Sequence, residues 1–157
     1  MKKIIAICVG FFVFITVGVA LIYISATHIN RIERTQVADI VYEKTPIKTI
    51  DDYYQLSRDV KSLAVSGKDD KQENYYMIYL PDEKAAHLYK NDEGKSKEEI
   101  TNTFRANHPN RIIEKVNLGW YHDQPTWEIT FKNNDNLWGY VLYSFNDGGE
   151  VSYIDNI

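Results

Sequence analysis

The sequence predicts an α+β protein: an N-terminal transmembrane helix, then two tandem units, each a helix followed by an antiparallel sheet. Three observations predict it. Residues Ile4 to Ile24 are uncharged and almost wholly apolar. Two helical patterns, ending at Thr45-Pro46 and at His108-Pro109, each precede a series of short runs with period-two alternation. Those two series echo one another in order, as tandem copies of one unit do.

The apolar run follows Met-Lys-Lys and is 21 residues long, enough to span a hydrocarbon core. A cleaved signal peptide is the competing reading. It would have a shorter apolar region and an A-x-A-like site, whereas the candidate position before Thr27 offers Ile24 and Ala26. Lys2 and Lys3 on one side against Arg31 and Arg34 on the other give only a thin positive-inside bias. The expected arrangement has the N-terminus inside and residues 28–157 outside, with 1–27 as cytoplasmic stub and anchor.

Beyond the anchor, Ile29, Ile32, Gln36, Val37, Ile40 and Val41 keep a mostly apolar helical stripe until Thr45-Pro46. The residue before a proline disfavours the helical region. Strands are then expected in I47-K-T-I-D-D-Y-Y, D59-V-K-S-L-A-V and Y75-Y-M-I-Y-L, with a long polar hairpin at Ser66–Asn74 and a further short strand around His87–Lys90. Asn91 to Lys95 reads as a linker. Ser96 and Glu99 form a capping box that opens the second helix, with Ile100 and Phe104 on its buried side. The units are therefore placed at 28–91 and 96–157. Each is so small that the two are expected to pack together.

The second unit carries the most informative stretch, Val116 to Phe145. Trp127, Ile129 and Phe131 share one strand face, and Glu128, Thr130 and Lys132 the other. Trp127 and Phe131 are expected to face a helix. In the next run Trp138, Tyr140 and Leu142 share one face, and Val141, Tyr143 and Phe145 the other, so this strand is apolar on both sides. One face is surplus to a helix-on-sheet layer. It either closes against the first unit or binds a partner. Asn-Asp-Gly-Gly then leads as a hairpin signal into the last strand. Between the units, Tyr53-Tyr54 matches Trp120-Tyr121 and Val60 matches Trp127 at a spacing of 67; Tyr75 matches Tyr140 and Asp82 matches Asp147 at 65.

This order resembles the TseB (YpmB-like) family of Gram-positive bacteria. The segments that carry the resemblance are Y75-Y-M-I-Y-L-P-D-E-K84 and W127-E-I-T-F with Y140-V-L-Y-S-F-N-D-G-G149. It implies a membrane-anchored ectodomain of two PepSY-like, cystatin-like repeats. The implied role is to assist cell-wall elongation by binding a transpeptidase of the penicillin-binding type. It also supports the N-inside orientation.

Composition and motifs narrow the chemistry. Hydrophobic and charged fractions of 44% and 25% are those of a globular chain, and the net charge of −4 without a basic patch does not favour nucleic acid. Cys8, the single cysteine, excludes an internal disulfide and a cysteine-based zinc site. His122-Asp123 is adjacent in sequence, which points the side chains apart on a strand, and Ser144 lacks a G-x-S-x-G setting. The acidic pairs and Asn134-Asp135-Asn136 are too short for a calcium loop and read as turns. No catalytic residues, cofactor, metal or small-molecule substrate is expected.

The aromatic residues leave two readings open. Either all are core, or part of the group Trp120, Tyr121, Trp138, Tyr140 and Tyr143 stays exposed and binds a protein partner, with the rim around Trp120, Tyr121 and Trp138 as its centre. The alternative function is a PepSY-type peptidase inhibitor or chaperone-like module, with the Ser66–Asn74 hairpin as its insertion loop.

Overall fold

The computed structural model describes residues 12, 14–19 and 32–156. The expected span Ile4–Ile24 lies outside the described residues except for helical residues 12 and 14–19. None of the described helices is long and apolar enough to cross a membrane. The chain divides into two compact units, Met1–Gln36 and Val37–Ile157. In the first, residues 32–36 are also helical, and Ile32 is exposed.

The second unit opens with helical residues 37–44, named α1 here. Val37 and Val41 are buried on it, one turn apart. The helix ends where predicted. The Thr45 amide and hydroxyl both donate to the Val41 carbonyl, at 3.0 and 2.7 Å, and Pro46 supplies no further donor. Four strands follow as an antiparallel meander: β1 (Thr49–Ser57), β2 (Lys61–Lys68), β3 (Asn74–Leu80) and β4 (Ala85–Lys90). The expected long hairpin is shorter than its sequence suggested, because β2 and β3 extend into it. Its turn closes on Asp69, whose carboxylate accepts from the amides of Lys71 and Glu73 at 2.8 and 2.9 Å.

After a short 3-10 turn at Asn91–Glu93, α2 runs Lys97–Asn107. Its capping box forms as expected: Ser96 Oγ accepts from the Glu99 amide, and the Glu99 carboxylate accepts from the Ser96 amide at 2.9 Å. The second meander is β5 (Ile112–Tyr121), β6 (Gln124–Lys132), β7 (Trp138–Ser144) and β8 (Glu150–Ile154).

The tandem pattern is real, but its register differs from the one read from the aromatic residues. Each first strand carries a bulge, between Ile50 and Asp52 in β1 and between Ile113 and Lys115 in β5. Opposite the bulges stand Gly67 and Phe131. Ile113 lies 63 positions after Ile50, and Phe131 lies 64 after Gly67. The buried helix pairs Val37/Val41 and Ile100/Phe104, and Pro46 and Pro109, also stand 63 apart. At 64 the large and small members of one cross-strand pair are exchanged: Gly67 faces Tyr75 in the first sheet, and Phe131 faces Gly139 in the second. The exchange keeps the pair's combined volume while hiding the match from residue identity.

Strand β3 serves two layers. Tyr75 and Met77 pack with α1, while Tyr76, Ile78 and Leu80 point the other way, into a core shared with α2 and the second sheet. Phe131 meets Phe104 of α2, as expected of a helix-facing residue, at a ring distance of 5.2 Å. Trp127, expected to face a helix, has its ring contacts in the first sheet instead. It meets Tyr54 and Tyr76 of the first sheet edge-on at 5.5 and 5.7 Å, and its indole N–H donates to the Lys95 carbonyl at 2.7 Å.

Backbone approaches as close as those side chains where β1 and β5 run together. A Cβ on Gly119 would overlap Leu56 Cβ and Ser62 Oγ. Ser62 Oγ in turn accepts from the Trp120 amide at 2.9 Å and donates to the Leu56 carbonyl at 3.1 Å. Gly119→Ala is therefore expected to destabilise by about 1–3 kcal/mol through overpacking. Thermal unfolding of the full chain checks this, with a lower midpoint than wild type as the expected result.

Candidate functional site

The face of the second sheet turned away from the shared core is set by register. In β6, Trp127, Ile129 and Phe131 point inward, so Thr126, Glu128, Thr130 and Lys132 point outward. Pairing then brings Trp138 and Ile112 beside Lys132, Tyr140 and Lys115 beside Thr130, and Ile154 beside Tyr140. The surplus strand face anticipated in β7 is thus resolved. Val141 and Tyr143 close on the core, and Trp138, Tyr140 and Leu142 look outward.

One end of this outward face is occupied by the first repeat. The β1–β2 turn sends Arg58 across it, where the guanidinium lies 3.8 Å from the centre of the Tyr140 ring and pairs with Glu128 at 2.5 Å. Glu128 is buried, and the Asn117 amide also reaches its other oxygen at 3.5 Å. At the other end the face is open. Ile112 is 66% exposed, Trp138 46% and Ile154 39%. The Lys132 ammonium lies 4.6 Å from the centre of the Trp138 ring.

The five aromatic residues proposed from sequence do not form one patch. Trp138 and Tyr140 share the outward face as expected. Tyr121 lies at the far end of β5, nine residues from Ile112 and so about 30 Å along the strand; it is half-buried and stacks on His122 at 4.0 Å. Trp120 and Tyr143 have to be withdrawn as contact residues. Trp120 is 9% exposed, points into the core and stacks on His87 at 4.3 Å. Tyr143 is 1% exposed, with a buried hydroxyl that has no hydrogen-bond partner. Burial, with smaller contributions from Glu150 and Tyr153, pushes that phenol up to about 12. Sequence reasoning missed Arg58, Ile112 and Ile154. Strand parity places Lys132 on the outward face, as expected from the sequence; nothing local marks Arg58.

The β5–β6 turn has His122 and Asp123 both at positive φ, 48° and 59°, where a two-residue hairpin ordinarily has Asn-Gly. The His122 amide donates to Asp59 Oδ2 at 2.8 Å, tying this turn to the β1–β2 turn. Ser144, the other residue weighed for catalysis, bonds with Asp147. Among the described residues no group of three or more His, Cys, Asp or Glu is placed to hold a metal ion.

Several carboxylates in these turns and caps are held below their ordinary values. Burial alone would raise Asp59, but amide donations from His122 and Val60 outweigh it. The Ser96 amide and hydroxyl and the Lys95 ammonium lower Glu99. Depressed carboxylates add stability that is complete above their unfolded values and lost as pH falls through the folded ones. The melting temperature is thus expected to hold from about pH 7 to 5 and to fall below about pH 4. The loss should be modest, since these groups are solvent-screened. Circular dichroism melts across that range check it.

No family model matches the chain, and no curated protein matches it. Among solved structures, the YpmB protein from Bacillus subtilis superposes with a TM-score of 0.63 at 19% identity, over 75% of this chain and 93% of that one. The two helix-then-sheet repeats of this chain therefore share the fold of the YpmB protein.

Proposed function

We propose that the protein is a non-catalytic accessory protein, anchored in the cell membrane by residues 4–24, with residues 28–157 on the outer side as two PepSY-like, cystatin-like repeats. In this reading it regulates cell-wall elongation by binding a transpeptidase of the penicillin-binding type. The observation that carries the reading is the outward face of the second sheet, buttressed by Arg58 at one end and left with a half-exposed Trp138 at the other. Large aromatic residues at the open end of a rigid sheet are what binding hot spots are made of. The likeness in fold to the YpmB protein agrees with the family that the sequence resembles.

Deletion of the gene should alter wall elongation, and crosslinking in intact cells followed by purification of the protein should recover a transpeptidase. Normal wall growth in the deletion strain, with no wall-synthesis protein recovered, would sink the reading. The peptidase-inhibitor alternative gains no support from the 66–74 hairpin, whose turn is short, polar and closed on Asp69.

A further inference from the structure

The open end of the outward face has its own chemistry. Ile112, Trp138 and Ile154 expose branched aliphatic and indole surface; Lys132 stands between Ile112 and Trp138, and Lys115 heads the next row, which ends at Ile154. Of the two carboxylates on this face, Glu128 is buried and already matched by Arg58, and Glu114 stands exposed in the β5 bulge beside Lys115. Lys115 and Lys132 against Glu114 leave the face with a positive balance on a chain whose net charge is −4. Local charge opposite to the net charge selects orientation, because a partner attracted to this end is repelled elsewhere.

We propose that this face docks an acidic amphipathic segment of a protein partner, its apolar side chains against Ile112, Trp138 and Ile154 and its carboxylates against Lys115 and Lys132. This rests on the reading of the chain as a protein-binding module and adds which surface is used and what chemistry it selects. Isoleucine side chains argue for a protein occupant over a glycan. A sugar stacks on an indole, but against branched aliphatic surface its hydroxyl groups lose water without gaining partners. The side chains also stand on a pleated sheet face rather than at a projecting tip, a geometry that suits a helix or strand laid across them more than insertion into a bilayer.

The test is site-specific photocrosslinking of the full chain in cells. A benzoylphenylalanine probe replaces Trp138, and a second chain carries it at Tyr42, exposed on α1, as reference. Each is made with and without Lys115→Glu plus Lys132→Glu, and melting temperatures confirm folding. The expected result is a crosslink from position 138 to a partner peptide in which acidic residues flank apolar ones. Charge reversal should weaken it about tenfold, leaving the reference unchanged. A crosslink to a neutral or basic peptide, or one indifferent to charge reversal, overturns the charge selection while the protein-binding reading stands. Crosslinking only from position 42 moves the site and likewise overturns this inference alone. Capture of lipid, of a glycan or of a second copy of this chain overturns the occupant, and no crosslink from either position counts against both readings.

Discussion

Replacing Trp127 with alanine is expected to lower the unfolding free energy by about 3–5 kcal/mol, the range for removing a large buried aromatic residue. The indole is fully buried, touches Tyr54 and Tyr76 edge-on, and donates to the Lys95 carbonyl in the segment between the repeats. It therefore joins both sheets and the interrepeat segment in a single side chain. Trp127→Phe keeps most of the buried area and loses the N–H, so a smaller cost is expected, about 1–2 kcal/mol for the orphaned carbonyl and the missing ring. Denaturant unfolding of the full chain in detergent measures both. If Trp127→Ala melts the second sheet alone, with the first unchanged, the shared core is wrong. A single cooperative loss of both is the expected outcome.

Arg58 gives the second large effect. Arg58→Met retains an apolar stem but leaves Glu128 buried with only the long Asn117 contact. Breaking a buried pair from one side costs about 3–5 kcal/mol, and the 30% exposure of the Arg58 side chain reduces the expectation to about 2–3 kcal/mol. Adding Glu128→Gln should recover most of it, since removing both charges also removes the uncompensated one. The pair would then be a register device between the repeats more than a source of net stability. Additive losses in the double variant would contradict that.

What the sequence made legible follows the physics of each signal. Proline and the capping box are local, so Thr45-Pro46 marked the end of α1, and Ser96–Glu99 and His108-Pro109 the two ends of α2. Strand parity is nearly local, so the two faces of β6 and β7 were readable. The repeat register was not, because identity and structural equivalence diverge where Gly67 and Tyr75 in one sheet become Phe131 and Gly139 in the other. The bulges at Ile50–Asp52 and Ile113–Lys115 add a residue that pattern matching has no means to see. Trp120 and Tyr143 were grouped with Trp138 by residue type, although Tyr143 is of opposite parity on the same strand. Arg58 reaches Glu128 across 70 positions, and only tertiary structure brings such residues together.

The open end of the second sheet is the surface proposed to meet a wall-synthesis transpeptidase. The most direct measurement is binding of the purified full-length protein in detergent to purified transpeptidases of the penicillin-binding type, comparing wild type with Trp138→Ser and with Tyr42→Ser. One transpeptidase is expected to bind, with Trp138→Ser weakening it by at least about 2 kcal/mol, roughly thirtyfold, and Tyr42→Ser leaving it unchanged. Equal binding by wild type and a folded Trp138→Ser variant would contradict the proposed surface.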